Sequence, residues 1–155
     1  MTHTKMEEKK NIEYLLKNGT PVGFKPQGTS MHPTIIAGRD SVIVEPLGDR
    51  KLKRGDVALY RRELDAPILP GALILHRVCH VRSNGIYMVG DNEKKTEGPI
   101  PYDRFLGIMT CLNRNGKTIS TKKLSYRLLS RIWLFLRPIR FVIAKPFSFF
   151  TSKNL

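Results

Sequence analysis

Acidic residues stop at Asp103: the last third of this 155-residue chain carries lysine and arginine but no aspartate or glutamate. Lys+Arg 27 against Asp+Glu 13 gives a formal charge of +14, so the positive excess is concentrated at the C-terminal end. Cysteine is scarce as well. Cys79 and Cys111 lie far apart in sequence and lack the paired spacing of a zinc site, and two buried thiols are expected rather than a disulfide. No uninterrupted apolar run reaches the roughly 20 residues a membrane-spanning helix needs. The stretch Ile139 to Phe150 comes nearest, but Arg140, Lys145 and Pro146 break it, so a spanning helix is not expected there. Met1 to Lys10 is charged and has no apolar h-region, so no secretory signal is expected there and the folded part is expected to stay in the cytoplasm.

What is present fits one globular domain. A 41% hydrophobic, 26% charged composition is ordinary for a chain that buries a single core, and it excludes wholesale disorder. Ile12, Leu15 and Leu16 recur at helical spacing, and Asn18-Gly19 supplies a stop, predicting a short amphipathic helix over Lys5 to Lys17. Short β-branched and aromatic runs then follow: Val22 to Phe24, Ser41 to Val44, Val57 to Tyr60, Ala72 to Val81, Ile86 to Val89 and Phe105 to Leu112. Asn113-Arg114-Asn115-Gly116 is a hairpin turn into a last strand, Lys117 to Ser120. The expectation is a mainly β fold, a compact and mostly antiparallel β domain over 21–121, preceded by a helical segment (1–20) and followed by a basic tail (122–155).

The tail has its own pattern. On a helical wheel Leu124, Leu128, Leu129, Ile132, Trp133, Phe135 and Leu136 gather on one half, and Lys123, Arg127, Ser130, Arg131 and Arg137 on the other. Leu134 alone falls among the polar residues. A basic amphipathic helix with a tryptophan predicts association with an anionic membrane surface, Pro138 bending or ending it. The plainer alternative is that its apolar face packs on the β domain.

Chemistry is concentrated in three segments. Ser30 lies in Gln27-Gly28-Thr29-Ser30-Met31-His32-Pro33-Thr34, behind a glycine and ahead of a proline turn. A hydroxyl is a weak nucleophile, so such a serine needs a base. Leu75-His76-Arg77-Val78 offers His76, whose ordinary pKa of about 6.5 lets it accept and donate protons near neutrality. Gly90-Asp91-Asn92 offers an acid. His80 would share a face with His76 in a regular strand, which makes it a rival base. His32, in the turn itself, reads as a surface residue.

Together with Gly55-Asp56-Val57, a turn leading into a strand, these segments resemble the ordered boxes of the signal peptidase I clan, which also holds the LexA-like self-cleaving proteins. The resemblance covers roughly Val22 to Gly107 and implies a signal-peptidase or LexA-like β domain. It identifies Ser30 as nucleophile and His76 as base, in the serine-histidine branch seen in endoplasmic-reticulum, archaeal and sporulation-type members. It further implies that Asp91 supports His76, with Glu97 as rival, and that Met31 and Pro33 shape the bend on the substrate-binding side. Gly28 departs from the serine that many signal peptidases carry two residues before the nucleophile. No hydrophobic anchor precedes Ser30, so a cytoplasmic peptide or precursor protein is the expected substrate. The implied activity, a serine endopeptidase, needs neither metal nor cofactor.

Two other readings compete. Gly28 and the net charge fit a LexA-like regulator or nucleic-acid binder, but about 20 residues before Val22 are too few for a helix-turn-helix domain. Aromatics in the basic segment fall on its apolar face, which also speaks against nucleic acid. The third reading is a catalytically silent relative that binds a peptide or a membrane.

Overall fold

Alternating β-branched and aromatic side chains pair into a single antiparallel sheet of eight strands in the computed structural model, which describes residues 11–139. The strands are β1 (Val22–Phe24), β2 (Asp40–Pro46), β3 (Val57–Arg61), β4 (Leu73–Arg82), β5 (Gly85–Val89), β6 (Glu97–Ile100), β7 (Phe105–Arg114) and β8 (Lys117–Ser120). Their order is β1-β2-β7-β3-β4-β5-β6, with β8 sharing an edge of β7 with β3. Helix α1 covers 11–17 and helix α2 Leu124–Phe135. The segment expected to extend α1 back to Lys5 and the apolar stretch 140–150 lie outside the described residues.

Strand β6 departs from the sequence reading. Glu97-Gly98-Pro99-Ile100 has the composition of a turn, yet it pairs with β5 through Ile86↔Ile100 and Met88↔Glu97. Proline is tolerated there because β6 closes the sheet and needs no donor on its outer side. The predicted hairpin between β7 and β8 turns at Asn115-Gly116, both at positive φ.

Because β3 runs through the middle of the sheet, both of its faces are covered. Val57 and Leu59 join one apolar cluster with Val42, Val44, Leu75 and Leu112, which Leu16 of α1 closes. Ala58 and Tyr60 point to the other, with Val78, Ile86, Met88 and Phe105. The alternation of a strand thus feeds two cores from one run of residues.

Helix α2 docks with the face that the wheel assigned to polar residues. Ser130 and Leu134 are its buried side chains, and Leu134 packs with Cys79 and Val89. The leucine that was out of place on the wheel is therefore the anchor, and its burial contributes about 1.5–3 kcal/mol. Leu124, Leu128, Leu129, Ile132 and Phe135 are left exposed. Of the apolar half only Trp133 is half-buried, and the rest of that face does not cover the β domain. Among the described residues no helix is long and apolar enough to cross a membrane.

Candidate active site

The Ser30 turn leaves β1, passes Gly28 at φ +81°, and folds tightly: the His32 amide donates to the Thr29 carbonyl and the Ile35 amide to the Met31 carbonyl. It is tied to the sheet from the end of β5, where the Asn92 amide donates to the Ser30 carbonyl at 2.7 Å. Gly90 permits this approach. A Cβ there would lie 2.7 Å from the Ser30 carbonyl oxygen and 2.8 Å from the Glu93 side chain.

His76 is carried by the middle of β4, buried to 3% exposure. Its Nε2 lies 3.1 Å from Ser30 Oγ. Residues 46 positions apart in sequence are thus brought into hydrogen-bonding distance. In the β3–β4 register Ala58 opposes His76 and Tyr60 opposes Ile74, so Tyr60 and His76 stand diagonally on one face. The Tyr60 oxygen lies 3.4 Å from His76 Nδ1 and donates its proton to Glu97 Oε2 at 2.7 Å. With its proton committed to Glu97, the phenol oxygen accepts from Nδ1–H, which assigns the tautomer whose unprotonated Nε2 faces the Ser30 hydroxyl. Arg62 grips Glu97 with two bonds, 2.8 and 2.6 Å. The Glu93 carboxylate stands 3.9 Å from His76 Nε2.

Electrostatics follow from this packing. Burial lowers the His76 pKa below its ordinary 6.5, against the opposing pull of Glu93 and Glu97. Burial pushes Glu97 up, but its bonds from Arg62 and Tyr60 outweigh this and hold it below the usual glutamate value. Burial and the neighbouring Glu97 together push the Tyr60 phenol far above its ordinary range, so it stays a hydroxyl.

Asp91, expected at the imidazole, is instead bonded to Arg77, whose Nε and Nη2 donate to its two oxygens at 2.8 and 2.6 Å. One of those oxygens also receives the Thr34 hydroxyl. Both side chains are buried, and the remaining Arg77 nitrogen donates to Ser130 Oγ of α2 at 2.8 Å and to the Gly55 carbonyl at 3.0 Å. Burial disfavours the guanidinium, yet the Asp91 bonds more than restore its charge and raise its pKa. This cluster links α2, the Gly55-Asp56 turn, β4 and the Ser30 turn.

A cleft of about 570 Å³ opens over Ser30 and His76, lined on its apolar side by Phe24, Met31, Ile35, Leu59 and Leu75. Met31 belongs to that lining, whereas Pro33 is exposed and is not part of it. His80 is exposed with its ring edge towards Tyr87, because the register shifts between Val78 and His80 and ends the regular alternation that would have aligned it with His76. His32 is half-buried rather than at the surface. Tyr60, Arg62 and Glu93 escaped the sequence reading. Tyr60 closes an apolar run and reads as core, and only the β3–β4 register reveals its place beside His76.

No family model, curated protein or solved structure matched this chain in the three comparisons made.

Proposed function

We propose that this chain is a serine endopeptidase that cleaves a peptide or precursor protein, with Ser30 as nucleophile and His76 as general base. The observation that carries the reading is the 3.1 Å separation of Ser30 Oγ and His76 Nε2 at the floor of an open apolar cleft. The ordered motifs and the tautomer imposed by Tyr60 support it.

In this mechanism Ser30 Oγ bonds to the scissile carbonyl carbon as its proton passes to His76 Nε2. The Ser30 backbone N–H would donate to the oxyanion. Collapse breaks the carbon–nitrogen bond, and Nε2–H protonates the leaving amine. Water then attacks the Ser30 ester, giving its proton to Nε2, and the acid product departs as Ser30 recovers its hydrogen. The imidazolium formed at each stage is stabilised by the Tyr60–Glu97 pair on one side and by Glu93 on the other. Phe24, Met31 and Leu75 would receive an apolar side chain beside the cut bond.

A peptide library incubated with the protein and read by mass spectrometry tests this. Cleavage with a restricted residue preference is expected, and it should vanish in Ser30→Ala while circular dichroism is unchanged. No cleavage by the wild type, or the same products from Ser30→Ala, would overturn the assignment.

The pH profile gives a second check. The base works only when neutral, so kcat/KM should fall as pH drops through a His76 pKa that lies below 6.5. Glu93 stabilises the protonated ring and thereby raises that pKa. Glu93→Gln is therefore expected to move the acid limb to still lower pH in steady-state measurements over about pH 4–8. A limb that moves up, or stays fixed, contradicts the arrangement.

A further inference from the structure

Helix α2 turns its apolar stripe away from the protein. Leu124 is 78% exposed and Phe135 72%, with Leu128, Leu129 and Ile132 between them, although an amphipathic helix ordinarily buries such a face. The docked side is the opposite one, held by Ser130 on Arg77, by Leu134 in its small cluster, and by Arg137 on Thr96 and the Lys94 carbonyl. Lys122, Lys123, Arg127 and Arg131 are exposed around the stripe, and no acidic residue occurs from 104 to 139.

We infer that this face is a docking surface for an anionic lipid bilayer, with α2 lying in the plane of the headgroups. Charge complementarity selects the occupant. A second copy seated on the stripe would bring two purely basic rims together with nothing to neutralise them. A nucleic acid would satisfy the rim but would leave large apolar side chains facing phosphate and water. A bilayer surface satisfies both parts, the leucines entering the acyl boundary while the lysines and arginines meet phosphate headgroups. The inference does not depend on the peptidase reading. It adds that the cleft is held at a lipid surface through α2, which bonds to the Arg77–Asp91 pair beneath the nucleophile turn.

Co-sedimentation of the full chain with vesicles tests it, comparing phosphatidylcholine alone with phosphatidylcholine containing phosphatidylglycerol. Binding to the anionic vesicles is expected to exceed binding to the neutral ones at least tenfold and to weaken with salt. The double variant Leu128→Glu/Ile132→Glu changes only exposed positions, and should lose at least tenfold in anionic-vesicle binding. Lys122→Gln/Lys123→Gln/Arg131→Gln should weaken it and flatten its salt dependence. Equal binding by wild type and the leucine-isoleucine variant, or no binding to anionic vesicles at low salt, overturns the inference. So does a dimer in sedimentation velocity that the double variant abolishes, which would make the stripe a contact between copies. Duplex DNA binding that survives the double variant, without vesicle binding, would assign the charge to nucleic acid and overturn it likewise.

Discussion

His76→Ala is expected to lower kcat/KM by about 10⁴–10⁶, and the double variant Ser30→Ala/His76→Ala to be no slower than either single one. Non-additivity is the informative part. If the hydroxyl is nucleophilic only because Nε2 lies 3.1 Å away to take its proton, removing either group removes the same step. Tyr60→Phe should be milder, a loss of about 10–100-fold carried by kcat, because it deletes one bond to the charged imidazolium and leaves the ring in place. Steady-state rates on a peptide substrate for the four proteins settle the order. Losses in the double variant that multiply, or a His76→Ala protein with wild-type rates, would show that serine and histidine act independently.

For Asp91→Ala the expected effect is on the fold, a cost of about 3–5 kcal/mol, because a fully buried Arg77 guanidinium would lose its counter-charge. In a domain of this size that corresponds to a fall in Tm of roughly 6–20 °C. Thr34 would lose its bond to Asp91 as well, while the Asn92 amide still holds the Ser30 carbonyl. Glu93→Gln, altering a half-buried carboxylate at the rim of the cleft, should stay within about 0.5 kcal/mol of the wild type. Thermal unfolding of the two variants side by side distinguishes the roles. An Asp91→Ala protein that melts like the wild type but has lost activity would return Asp91 to the imidazole.

The strand pattern was legible because period-two alternation and turn residues are local signals, and β1 and β8 fall at their expected residues. β6 was hidden by Gly98 and Pro99, whose turn preference is overridden when an edge strand needs only one hydrogen-bonded side. At the site, Ser30 and His76 could be singled out from their own segments. Of their supporting groups only Glu97 was marked, as the rival acid that the resemblance implies; Tyr60 and Arg62 could not be, because they converge with it through a strand register that no local signal fixes. Asp91 illustrates the same limit: its segment marks a carboxylate near the serine, while the burial of Arg77 decides which cation it faces. Leu134 is the converse case, an irregularity on the wheel that the docking of α2 explains.

His76 and Arg77 are neighbours on β4, and alternation sends them to opposite sides, the ring towards Ser30 and the guanidinium, through Asp91, towards Thr34 of the same turn. Sliding that strand by a single position would send each to the opposite face, so that in one direction a fixed cation would stand against the hydroxyl and in the other an imidazole would enter the ion-pair socket. Correct threading of β4 is therefore tested twice by one loop, and a molecule that has assembled its internal ion pair has by the same stroke set the His76 ring against Ser30. Insertions or deletions within Leu73–Arg77 should be excluded by this double lock.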